Sequence, residues 1–392
     1  MAYNPLDPGT TRDPYPQYAR LRSEAPLERS ELGFWVLSRY EDVGAVLRDP
    51  RRFSSGVLGD MIQGVKSLSP EGLGAGETLL GTDPPAHSRL RKIVNRAFTP
   101  RRVAALEARI RTLAHELLAA VAVPGEVELM GALAVPLPVM VIAEILGIDP
   151  ARRADFKRWS DEILAAIAAP PSPELRARLE RSFLERAAYL EEVIEARRLA
   201  PRDDVISALV QAEAGEDVMS EDEVGNFLVL LLVAGNETTT NLIGNAVLAL
   251  LDHPPVLDTV RTIPDLVPDL VEETLRYDSP VQLTLRRATC DVELAEGKVC
   301  AGETVALLLG SANRDELQFE EPDRFDLGRR APHLAFGYGT HFCLGAHLAR
   351  IEAELALRAL LARFPRLERG GAVERTPSLL TRGPRTLRLR VA

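Results

Sequence analysis

Residues 336–346 read Phe-Gly-Tyr-Gly-Thr-His-Phe-Cys-Leu-Gly-Ala. Gly337, Gly339 and Gly345 fall within nine residues, and glycine admits backbone angles and close approaches that a side chain blocks. Cys343 stands just ahead of a helical pattern running from His347 to Leu361. Its sulfur therefore lies near a helix N-terminus, where free N–H groups and the helix dipole favour the thiolate. Such a sulfur suits a metal or a nucleophilic role. No second cysteine or close His/Cys partner gives zinc-ligand spacing, which argues against structural zinc. On position alone, a buried inert cysteine beside a glycine-rich turn is the commoner reading.

Working outward, 47 Lys+Arg against 57 Asp+Glu give 392 residues a net charge of −10, which excludes a chain-wide basic surface for nucleic acid. Three cysteines are too few, and odd in number, for a disulfide framework. The N-terminal MAYNPLDPGTTRDPYPQYARL has no cationic-then-apolar signal pattern. The apolar runs Ala132–Ala143 and Phe227–Ala234 fall short of a bilayer span. A cytoplasmic protein with no membrane and no nucleic-acid partner is expected.

No linker or repeat divides the chain, so residues 1–392 are expected to form one domain. The segments Pro26–Ser30 and Phe34–Ser38 predict a hairpin about Glu31-Leu32-Gly33. Residues 53–81 hold seven glycines and predict a long functional loop. From Asp83 to Ile263 the pattern is dominantly helical, with Leu175, Leu179, Phe183, Leu190 and Ile194 on one face and a break at Ala168–Pro173. Ser220 and Glu223 fit a capping box opening a helix of about 32 residues that runs to His253-Pro254. Short strands are expected at Asp291–Leu294, Thr304–Leu309 and the C-terminus. The fold class is mainly α with small β-sheets.

Inside the long helix lies Ala234-Gly235-Asn236-Glu237-Thr238-Thr239. Ala234 and Thr238 share a face, and Gly235 with a nearby threonine hydroxyl predicts a local kink. A packed helix with a cap-like polar cluster and a functional site are equally compatible with these residues.

The segment F-G-x-G-x-H-x-C-x-G resembles the haem-binding signature of the cytochrome P-450 superfamily, which makes Cys343 the axial thiolate on haem iron. Glu273-Thr274-Leu275-Arg276 is similar to the family's E-x-x-R helix, and Pro322-Asp323-Arg324-Phe325 to the segment whose arginine joins that pair. The resemblance thus implies a structural cluster of Glu273, Arg276 and Arg324. It implies that Glu237 and Thr238 supply the protons for dioxygen cleavage, with Ala234 beside the cofactor. His87 and Arg91 (H-x-x-x-R), Arg286 and His341 match haem-propionate ligands, with Gly345 beside the thiolate. Leu230, Val233, Ala234, Gln282, Thr284 and Leu380 fall where the family contacts substrate, and their aliphatic character implies a largely apolar one. Cys290 and Cys300 are taken as small buried residues.

The implied function is a haem-thiolate monooxygenase carrying haem b and using O2. It hydroxylates or epoxidises a small organic molecule, such as a polyketide, terpenoid or peptide. No bound flavin is expected, so electrons come from NAD(P)H through a separate ferredoxin reductase and ferredoxin. Arg91, Lys92, Arg96, Arg101, Arg102, Arg329, Arg330 and Arg350 form either a docking patch for that ferredoxin or merely solvated arginines. The rival readings are oxidative coupling or desaturation without oxygen insertion, and a non-catalytic haem or ligand binder.

Overall fold

The computed structural model describes residues 2–66, 78–168, 172–211, 219–294 and 297–392. The chain divides into two compact units, one of residues 1–53, 107–138 and 237–392, the other of residues 54–106 and 139–236. Because the segments interleave, no linker composition marks a boundary in the sequence.

In the first unit, helices Glu237–Asp252, Val267–Tyr277 and Ala346–Arg363 pack on one another. Every residue from Thr239 to Leu250 is buried, as in a helix enclosed on all sides. The predicted hairpin forms, with Leu27–Arg29 antiparallel to Trp35–Leu37 about Gly33, whose φ of +88° only glycine adopts readily. Trp35–Leu37 continues parallel onto Thr304–Leu307, which pairs antiparallel with Thr284–Ala288 and sets Arg286 opposite Val305. Arg388–Val391 lies between Gly125–Glu128 and Leu367–Arg369. Val292–Leu294 pairs with Gly297–Val299, and Cys290 and Cys300 fall just outside that hairpin. Both cysteines are exposed, not buried as expected, because the pairing buries Val292 and Val299 and leaves the flanking turns in solvent.

The second unit is helical. Arg153–Ala168 packs on Pro173–Leu199, and both meet Glu221–Ala234. Of the apolar face expected on Pro173–Leu199, Phe183, Leu190 and Ile194 are buried, with Arg186 and Arg197 among them. Ser172 caps this helix after the Pro-rich break, part of which lies outside the described residues. The capping box at Ser220 is complete: Glu223 N donates to Ser220 Oγ (3.2 Å) and Ser220 N to Glu223 Oε2 (2.8 Å). The glycine-rich segment is not all loop, since Gly56–Lys66 is helical; residues 67–77 lie outside the described residues. A Cβ on Gly81 would stand 2.4 Å from Gly59 Cα, so these two glycines serve a direct backbone contact.

The single 32-residue helix is a correction. Helical structure stops at Ala234 and resumes at Glu237. A Cβ on Gly235 would lie 2.7 Å from Ile142 Cδ1 and 2.9 Å from Leu231 O, so only glycine fits at the break. By length and composition Glu221–Asp252 could cross a membrane (mean hydropathy 1.3), but 61% of its apolar window is buried inside the protein, as in a core helix.

Candidate active site

Cys343 sits on a loop fixed by its own backbone. Its N–H donates to Phe336 O (3.0 Å), Gly337 N to Leu334 O (2.8 Å) and Phe342 N to Gly339 O (3.1 Å). Gly337 and Gly339 both have φ of +69°. A Cβ on Gly339 would also lie 2.8 Å from Leu47 O. The half-buried Cys343 precedes an 18-residue helix whose N-cap is Gly345. The free N–H groups and dipole of that helix favour the thiolate.

Behind the loop lies the Glu273–Arg276 pair. Arg276 Nε donates to Glu273 Oε2 (2.8 Å) and Nη2 to Glu273 Oε1 (2.7 Å), both side chains being nearly fully buried. The remaining Arg276 donors reach the carbonyls of Asn313 (3.0 Å), Pro322 (2.8 Å) and Arg324 (3.1 Å). Arg324 therefore enters the cluster by its backbone alone. Its side chain is 63% exposed and turns to Glu321 (3.0 Å). The second guanidinium beside Glu273 is that of Arg329, at 3.6 Å. The placement is a correction to the expected triad, and it depends on how the loop turns, which no local motif encodes.

Sequence reasoning also missed Asn313. Fully buried, it accepts from Arg276 through its carbonyl, from Leu334 N through Oδ1 (2.6 Å), and donates Nδ2 to Ser279 Oγ (2.8 Å). It thereby ties the buried ion pair to the first residue gripping the cysteine loop. Next to Glu273 in the chain, Glu272 is held down at about 2: burial opposes this, but hydrogen bonds from His333 (3.3 Å) and Arg350 (3.0 Å) outweigh it.

Glu237 and Thr238 occupy the first turn of the core helix Glu237–Asp252, both half-buried. Glu237 Oε1 accepts from Thr381 Oγ1 at 2.8 Å. Arg286 is buried and its Nη1 donates to Leu285 O (2.7 Å). His341 lies in the 3-10 turn Gly339–His341. In the second unit, His87 and Arg91 share the helix Ala86–Ala97. Burial, then the Arg91 guanidinium, pushes the His87 imidazole below its ordinary value, with Asp83 opposing. Leu230 and Val233 are partly exposed and Ala234 is exposed. Thr284 and Leu380 are half-buried. Gln282 is not available to a substrate as expected. It is buried, its Oε1 accepts from Tyr18 (3.1 Å) and its Nε2 donates to Ser279 O (2.7 Å).

These residues suit a chelated iron better than a bare ion. Among the described residues no group of three or more His, Cys, Asp or Glu side chains is arranged to hold a metal. One pinned cysteine, in the same unit as the buried cation of Arg286, fits an iron that a macrocycle with anionic arms would carry.

Comparison with known proteins agrees. The cytochrome P-450 family model matches residues 265–389. Cytochrome P-450 107B1 of Saccharopolyspora erythraea is 42% identical over 92% of this chain and 90% of its own. This chain belongs to the cytochrome P-450 family. The 6-deoxyerythronolide B hydroxylase of the same organism is 40% identical, covering 91% of this chain and 90% of its own. The structure of the P-450 CYP109Q5 from Chondromyces apiculatus superposes with a TM-score of 0.90 at 44% identity, covering 100% of this chain and 98% of that one. The chain is thus a P-450 monooxygenase with the mainly helical P-450 fold, and family membership implies haem-thiolate iron and O2.

Proposed function

We propose that this P-450 inserts one oxygen atom of O2 into a bulky, largely apolar small molecule, a secondary metabolite of the polyketide, terpenoid or peptide kind, by hydroxylation or epoxidation. The observation that carries the reading is a thiolate loop, fixed from behind, on a helix packed against the helix that opens with Glu237 and Thr238. Among its relatives are a cyclomarin C epoxidase of Salinispora arenicola and the 6-deoxyerythronolide B hydroxylase, whose names point to substrates of this size.

Cys343 would hold the iron of haem b, and Arg286 and His341, in the same unit, would take its carboxylates. Haem iron with a thiolate ligand supplies O2 activation, the thiolate pushing electron density that favours O–O cleavage. This chain's residues do the rest. The Glu273–Arg276–Asn313 ties keep the cysteine loop in one conformation, so no reorganisation is needed during the reaction. Thr238 Oγ1 holds a proton at the start of its helix, and Glu237 passes protons inward from solvent. Leu230 and Val233 present aliphatic surface that orients an apolar substrate and excludes water.

Electrons arrive from NAD(P)H through a separate ferredoxin and its reductase, in the cytoplasm. Only part of the expected basic surface is open to such a partner. Arg102 pairs with Asp203 (3.2 Å) and Arg350 with Glu272 (3.0 Å), and Arg329 turns inward to Glu273, whereas Arg330 stays 68% exposed beside Asp269 (3.0 Å). Arg96, Arg101 and Arg330 are the stronger candidates for steering.

Two measurements test the reading. The dithionite-reduced, CO-bound protein should show the red-shifted Soret band of thiolate ligation, lost in Cys343→His; an imidazole-type band in the wild type overturns it. Thr238→Ala should consume NAD(P)H while releasing peroxide and little product, and unchanged coupling would remove Thr238 from the mechanism.

A further inference from the structure

We propose that Thr381 is a positioning residue for Glu237, oriented in turn by Ser378, so that two hydroxyls hold the proton-carrying carboxylate in place. This rests on the reading of Glu237 as a proton carrier. Thr381 Oγ1 is 2.8 Å from Glu237 Oε1 and 2.8 Å from Ser378 Oγ. A threonine hydroxyl carries one proton, and an ionised carboxylate only accepts. Thr381 therefore donates to Glu237, and Ser378 donates to Thr381. Ser378 Oγ accepts from the N–H groups of Thr381 (3.1 Å) and Leu380 (3.3 Å). Every dipole in this relay points at the carboxylate, and each bond polarises the next. When Glu237 is protonated, its hydroxyl can donate to Thr381 and Thr381 in turn to Ser378, so the contact survives both states of the carboxyl.

The loop carrying Thr381 is itself fixed. Gln282 N donates to Leu380 O (2.8 Å) and Arg382 N to Pro280 O (2.8 Å). The buried Arg382 side chain donates to Asp278 Oδ1 (2.8 Å) and to the carbonyls of Thr11 (3.2 Å) and Arg12 (3.0 Å). A Cβ on Gly383 would lie 2.0 Å from Asn241 Oδ1, so the loop backbone rests on the helix one turn beyond Glu237. Loop residues 381 and 383 thus meet helix residues 237 and 241. The hydroxyl is delivered by two anchored elements and not by a freely rotating surface side chain.

Thr381→Val keeps the shape and removes the hydroxyl, while Thr381→Ser keeps the hydroxyl. The first measurement is the infrared carboxylate band of Glu237 in the resting holoenzyme, assigned by its loss in Glu237→Gln. It should shift in Thr381→Val and return in Thr381→Ser. The second is NAD(P)H consumption through a surrogate ferredoxin and reductase, with O2 as the probe. Glu237→Gln and Thr381→Val should both slow it at saturating ferredoxin, Thr381→Val by about tenfold or less, with a larger solvent deuterium effect and an unchanged ferredoxin KM. Thr381→Ser should restore the rate. If Glu237→Gln leaves rate and isotope effect unaltered, the proton-carrier reading falls. If Glu237→Gln slows the reaction but Thr381→Val moves neither band nor rate, the positioning role alone is wrong.

Discussion

Two arginines are buried, one in each unit, and they are treated in opposite ways. Arg276, 1% exposed, makes a bidentate pair with Glu273 and reaches three backbone carbonyls. Arg186, 4% exposed, has a buried Nε without a hydrogen-bond partner and packs its guanidinium over the Phe183 ring at 5.6 Å. Burial pulls Arg186 down to about 10, with Glu162 countering weakly. The unit holding Cys343 uses its buried polar groups to fix one geometry, as a metal-bearing loop requires. In the helix pair of the other unit the polar ties run through Arg158, which donates to Ser182 Oγ (2.7 Å), while the Arg186 charge rests on an aromatic ring.

The comparison breaks most readily at Glu273. Glu273→Ala strands a buried guanidinium and removes the acceptor for Asp326 N (2.8 Å). The expected cost is about 3–5 kcal/mol, read from urea unfolding, with haem content falling in parallel because Asn313 loses its fixed partner. A loss below about 1 kcal/mol would mean that the pair does not organise this unit.

Glu352 sharpens the contrast from inside the first unit. It is fully buried on the cysteine helix, its Oε2 without a partner, and burial alone raises its carboxyl well above 4.5. Above that value the unfolded chain releases the proton that the native protein keeps. The native state therefore loses stability as pH rises from about 4.5 toward the raised native value, by up to ~1.4 kcal/mol per pH unit. Glu352→Gln should remove that slope, and unfolding curves between pH 5 and 8 compare the two proteins. Parallel curves would show that Glu352 is ionised in the fold. Arg186→Met comes next: replacing a buried cation whose Nε has no hydrogen-bond partner by a flexible apolar side chain should stabilise by about 1–2 kcal/mol, measured by urea unfolding.

These sites differ in how far the amino-acid sequence announces them. The cysteine loop, the Glu273–Arg276 spacing and the Ser220 capping box are legible because each is local, its chemistry complete within about ten residues. The interruption at Gly235 is half legible: glycine beside threonine forecasts a kink, but Ile142, which excludes a Cβ, is distant in the chain. Thr381 meets Glu237 across 144 residues, and Asn313 meets Arg276 across 37, so neither contact has a local pattern. Gln282 failed as a substrate contact for a similar reason. Tyr18, its partner, lies 264 residues away.

The smallest effect decides the identity of the cluster's outer member. Which guanidinium faces Glu273 depends on the turn of the loop, and the spacing of the motif does not set it. Arg324 lends its carbonyl to Arg276, a contact any side chain at that position preserves. Its own guanidinium spans Glu321 (3.0 Å) and Asp326 (3.8 Å) in solvent, where water and salt screen both pairs. Arg324→Ala should therefore change the urea midpoint little and leave haem binding intact. Arg329, only 12% exposed and 3.6 Å from Glu273 Oε1, should cost more on truncation, because its Nη1 and Nη2 also hold the carbonyls of Glu320 (2.8 Å) and Glu321 (3.2 Å). A larger loss at Arg324 than at Arg329 would return the cluster to the composition that the motif implies.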